Sequence, residues 1–161
     1  MFNFFGKKKI SPQEMASCLV LALVEDPVKK PLNDTDGNII LNTHEQSILL
    51  LSHLCKLLDG HGLKKVKGLV LAFSVKYNKK IKNATDLALE MLVLADSIKK
   101  IQDFFQTMSA ESHVFFKQKF LFDKDLNPMQ KTLVLGWCTA QMKALDSVFE
   151  SMIKKWEVKD D

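Results

Sequence analysis

The chain has 161 residues, 47% hydrophobic and 26% charged, the balance of one ordinary globular domain long enough to bury a sizeable core. Its formal net charge of +4 draws it toward acidic partners but falls well short of a dedicated nucleic-acid binder. All 23 Lys and Arg positions are lysine, which removes the planar two-pronged grip on carboxylate or phosphate and any arginine finger.

The first residues set Phe2, Phe4 and Phe5 ahead of Lys7, Lys8 and Lys9, the reverse of a secretory signal. Residues 1–10 are read as an arm. Its phenylalanines suit a headgroup zone, and each lysine near anionic lipid adds about 1 kcal/mol. The helical domain is expected to run from 11 to 157.

Ser11-Pro12-Gln13-Glu14 combines an N-cap serine, a proline at the first helical position and a glutamate at the third, a capping box that starts a helix near residue 12. From Glu25 to Asn42 Pro27, Pro31 and the turn Asp36-Gly37 mark a loop, and Ile39-Ile40-Leu41 is a brief extended segment with no partner strand predicted. Thr43-His44-Glu45-Gln46 repeats the capping logic, with Thr43 as cap and Gln46 answering it. Gly60-His61-Gly62 closes that second helix, because glycine accepts the left-handed conformation common at helix C-termini.

A third helix is expected from about Leu63 to Tyr77. At 100° per residue its middle, Gly68 to Val75, is apolar all round, which predicts packing on both sides with Gly68 and Ala72 permitting close approach. Beyond a lysine-rich turn, Leu87, Met91, Leu94, Ile98, Ile101, Phe105 and Met108 recur at alternating steps of four and three. That seam predicts a long amphipathic helix over about 84–108. Phe104, Phe105, Phe115, Phe116, Phe120 and Phe122 make up more than half of the 11 phenylalanines and predict a hairpin sealed by aromatic packing. Asn127-Pro128-Met129-Gln130 starts a last long helix over about 128–156, with Cys138, Met142, Leu145, Phe149, Met152 and Trp156 as its seam. No segment sustains a period of two. The expected fold is all-α, a single-domain bundle of five or six helices.

Candidate chemistry is sparse. His44, His53, His61 and His113 show no pair at i, i+4 and there is no Cys-x-x-Cys, so neither a metal site nor a cofactor is expected, and the histidines read as surface or boundary residues. Asp34-Thr35-Asp36-Gly37-Asn38 fails as a calcium loop, because Leu32 and Thr43 fall where the first and last ligands belong. Asp123 and Asp125 resemble a phosphotransferase pair but lack the parallel sheet that would hold them, so both aspartate pairs read as turn formers. No nucleophile elbow exposes a serine. Cys18, Cys55 and Cys138 are odd in number, far apart and set in apolar helices, which reads as reduced core thiols in a cytoplasmic protein.

The sharpest signal is a lysine block. From Gly60 to Thr85 there is no acidic residue, yet Lys64, Lys65, Lys67, Lys76, Lys79, Lys80 and Lys82 are all present. The leading expectation is therefore a non-catalytic helical module that meets an acidic protein surface through this block, with self-association left open and nucleic acid disfavoured by the lack of arginine. A second expectation is a peripheral membrane protein held by Phe2, Phe4, Phe5, Lys7, Lys8 and Lys9 together with the block. A third, an enzyme built from dispersed histidines and aspartates, is the weakest.

Overall fold

The structure, a computed structural model, describes residues 6–77, Asn83, Leu87 and 124–159. The chain is mostly helical with small two-stranded sheets. In chain order the elements are β1 (Lys8–Ile10), α1 (Pro12–Val20), a π-helical turn (Leu21–Glu25), β2 (Leu32–Asn33), β3 (Ile39–Leu41), α2 (Thr43–Gly60), α3 (Lys64–Tyr77), α4 (Pro128–Lys155) and β4 (Trp156–Val158).

Two of the three predicted capping boxes form as read. The Ser11 hydroxyl accepts from the Glu14 N–H at 3.2 Å while the Glu14 carboxylate accepts from the Ser11 N–H at 3.1 Å. Asn127 and Gln130 exchange the same bonds at 2.9 and 3.0 Å. At α2 the cap is Asn42, one residue earlier than predicted. Its amide accepts from the Glu45 N–H at 2.8 Å and donates to the Glu45 carboxylate at 2.9 Å. Asparagine supplies both halves of that exchange, which a threonine hydroxyl matches less well. Gln46, freed from capping, is buried and donates to the carbonyls of Lys30 and Leu41 at 3.0 and 3.2 Å.

Where α1 ends, the chain widens by one residue per turn, with the Asp26 N–H reaching the Leu21 carbonyl at 2.9 Å. Ile39–Leu41 does find a partner: β3 pairs antiparallel with β2, Leu32 opposite Leu41. The hairpin turns at Gly37, whose φ of +84° is the left-handed value that glycine adopts without a Cβ clash. β1 and β4 pair in parallel, Lys8 with Trp156, Lys9 with Glu157 and Ile10 with Val158. Neither sheet was expected, because elements of two or three residues leave no alternation to read.

One apolar core joins these elements. Met15, Ala16, Leu19, Val20, Leu23 and Val24 line one side of the α1 region. α2 buries Ile48, Leu49, Leu50, Leu51, Leu54 and Leu58, and α4 buries Val134, Leu135, Cys138, Met142, Leu145 and Phe149. The α4 seam is thus the predicted one, with Met152 and Trp156 partly buried. α3 buries Val66 and Val70 and half-buries Leu69, Leu71, Phe73 and Val75. Gly68 and Ala72, however, face solvent, so the close approach predicted there is not used. The predicted helix over 84–108, its seam residues Leu94, Ile98 and Ile101, and the phenylalanine cluster lie outside the described residues, apart from Leu87, which is helical and buried.

Candidate interaction surface

The lysine block falls into two parts. Lys64, Lys65 and Lys76 are exposed on α3, a helix without an acidic residue. Lys67 is one-third exposed and its ammonium meets the Asp59 carboxylate at 2.6 Å, so its charge is largely spent on the end of α2. Lys79, Lys80 and Lys82 lie outside the described residues. Val66, Val70 and Ser74 anchor the inner side of α3, and the Ser74 hydroxyl donates to the Val70 carbonyl at 2.8 Å. The sequence folds this way because its apolar positions recur at four-residue steps and leave the lysines outside.

A second group of lysines sits at the paired chain ends. Lys7, Lys8 and Lys9 of the predicted membrane foot are exposed, as are Lys154, Lys155 and Lys159. The fields of Lys8 and Lys159 both reach Glu14, whose carboxyl is held below its usual range chiefly by the Ser11 hydrogen bonds. Phe2, Phe4 and Phe5 lie outside the described residues. A shallow recess of about 380 Å³ beside the ribbon is lined by Lys9, Glu157, Val158 and Lys159. It is open and polar, unlike the enclosed apolar cavities that hold small molecules.

His44 and His61 lie at the boundary and the surface as predicted, but His53 does not. His53 is buried on α2, and its Nε2 faces the Asp146 carboxylate of α4 at 2.6 Å. The carboxylate makes Nε2 the donor, and Nδ1 is left buried without a partner. A base must offer that second nitrogen to a substrate, and here it is sealed in the core. Two turns on, the His61 ring stands edge-on to Phe149, with centroids 5.1 Å apart. Its Nδ1 lies 3.0 Å from the Leu57 carbonyl and its Nε2 3.4 Å from Glu150. The His53–Asp146 and His61–Glu150 contacts clasp α2 to α4. No sequence signal announces them, since His53 and Asp146 stand 93 positions apart.

The Asp34 loop meets the start of α4. Asp34 accepts from the backbone N–H groups of Asp36 and Asn38 at 3.0 and 2.8 Å, as predicted for a turn former. It also accepts from the Gln130 side chain at 3.0 Å, which ties the hairpin to the start of α4. That bond, then one from the Asn38 side-chain amide at 3.1 Å, holds the Asp34 carboxyl below its usual range. Lys124 reaches the Glu45 carboxylate at 2.5 Å and the Ile40 carbonyl at 2.6 Å. Among the described residues no group of three or more His, Cys, Asp or Glu side chains is placed to hold a metal ion.

Cys55 and Cys138 are core thiols as predicted, and burial pushes both up to about 12. Cys18 is exposed, a correction. Burial on α1 follows Met15, Ala16, Leu19 and Val20, which turns Cys18 outward. A thiol-reactive reagent at neutral pH should therefore modify the native protein once, at Cys18, and all three cysteines only in denaturant. Native labelling of Cys55 or Cys138 at the rate of Cys18 would contradict the packing.

Compared with known protein families, with curated proteins and with solved structures, the chain matches none. No described helix is long and apolar enough to cross a membrane.

Proposed function

We propose that the protein is a non-catalytic helical interaction module whose α3 lysines meet the acidic surface of another protein. One observation carries this reading: α3 exposes Lys64, Lys65 and Lys76 and bears no carboxylate of its own. A face of that kind sets up a one-signed potential that steers an acidic partner into register. In sequence Lys79, Lys80 and Lys82 continue the same charge. The proposal includes the finer architecture, a single bundle of five or six helices in which the segment 84–108 is a further long helix. Lysine without arginine suits such a role, because it attracts through charge and not through bidentate geometry.

The test begins with affinity purification on the whole chain and continues with the kinetics of the partner it retains. Association should slow as salt rises, since the Debye length falls from about 10 Å at 0.1 M to about 3 Å at 1 M. Lys64→Gln/Lys65→Gln/Lys76→Gln should slow association roughly tenfold while dissociation changes little. A partner whose association ignores both salt and these changes removes the functional meaning of the block, and the lysines are then a solvated helix face.

A further inference from the structure

The two ends of the chain meet in a parallel ribbon, and the direction of that pairing sorts their charges. Lys8 lies beside Trp156 and Ile10 beside Val158. Lys7 therefore enters at the end of the ribbon where Lys154 and Lys155 leave α4. Glu157 falls in the middle, and Lys159 follows at the far end.

We propose that Lys7, Lys8, Lys154 and Lys155 form a composite corner that docks on an anionic lipid bilayer. All four are exposed, and none is ion-paired among the described residues. Lys154 and Lys155 also suit the negative end of the α4 dipole, but that role does not account for Lys7 and Lys8 gathered beside them. The choice of a bilayer over an acidic protein rests on the company these lysines keep. Trp156, half-buried, pairs with Lys8, and Phe2, Phe4 and Phe5 precede Gly6. Aromatic rings beside flexible ammonium groups match an interface with apolar chains below and diffuse negative charge above. The site is separate from the α3 face and stands whether or not that face binds a protein.

Flotation of the whole chain with phosphatidylcholine vesicles, with and without phosphatidylserine, tests this. Binding should require phosphatidylserine. Lys7→Gln/Lys8→Gln and Lys154→Gln/Lys155→Gln should each lower partitioning roughly twenty- to thirtyfold, about fivefold per lysine. Lys143→Gln, on the exposed side of α4, should leave it unchanged. Trp156 fluorescence should be quenched by brominated phosphatidylserine, with the quenching lost in Trp156→Phe, a readout that needs no lysine variant. Absence of phosphatidylserine-dependent binding overturns the proposal, as does absence of quenching. Loss through Lys7 and Lys8 with indifference to Lys154 and Lys155 reduces the site to a linear foot and overturns the composite corner. Retention on a polyglutamate matrix without vesicle binding assigns the corner to an acidic protein and overturns it as well.

Discussion

Phe149→Ala should cost about 3–5 kcal/mol, the largest loss expected of any single truncation in α4. Phe149 is fully buried, and it carries the edge-on contact with His61 as well as its place in the α2–α4 core. Removing the ring leaves a cavity that leucines on rigid helices cannot fill by collapsing inward. Against a total stability of about 5–15 kcal/mol, a loss of that size is a large fraction. For a chain of this length it corresponds to a fall in Tm of roughly 6–20 °C. The neighbouring Val148, 43% exposed, supplies the comparison, and Val148→Ala should stay within about 0.5 kcal/mol of the parent. Urea unfolding of the two variants decides the matter. Equal midpoints would mean that α4 does not pack on this face.

The contrast between Phe149 and Val148 was legible in the sequence, because a seam of steps three and four fixes which side of a helix is buried. The Ser11 and Asn127 caps were legible for the same reason: their partners lie three residues away. Cys18 was misread as a core thiol from the apolar composition around it, although the spacing of Met15, Ala16, Leu19, Val20, Leu23 and Val24 turns it outward. The α3 lysines needed no partner to be seen. What the sequence concealed are the pairings between distant positions. A three-residue strand such as Lys8–Ile10 has no periodicity, and nothing in it names Trp156–Val158 as its neighbour. His53 reads as a boundary residue until Asp146 is placed 2.6 Å away. The candidate surface at the chain ends was therefore half visible, its N-terminal lysines from composition and its C-terminal ones only from the fold.

Lys124 shows how much a distant pairing can carry. It stands 79 positions beyond Glu45, yet its ammonium meets that carboxylate at 2.5 Å and donates to the Ile40 carbonyl on β3 at 2.6 Å. The Glu45 side chain is only 11% exposed, which separates this pair from Lys29 and Asp26, 3.8 Å apart and both about three-quarters exposed. The exposed pair is screened and contributes about 0–1 kcal/mol. Lys124→Met should instead cost about 3 kcal/mol, because it strands a buried carboxylate and removes a donor from a buried strand. Most of that cost belongs to the carboxylate left behind and not to the pair itself. Glu45→Gln should therefore restore much of the loss when combined with Lys124→Met, since the amide keeps an oxygen for Asn42 and buries no charge. The double-mutant cycle should give a coupling of at least about 1 kcal/mol, with Lys143→Met, on the exposed side of α4, as the neutral control. Strict additivity of the two substitutions would show that the pair is solvated and adds nothing to the corner where the hairpin, α2 and the approach to α4 meet.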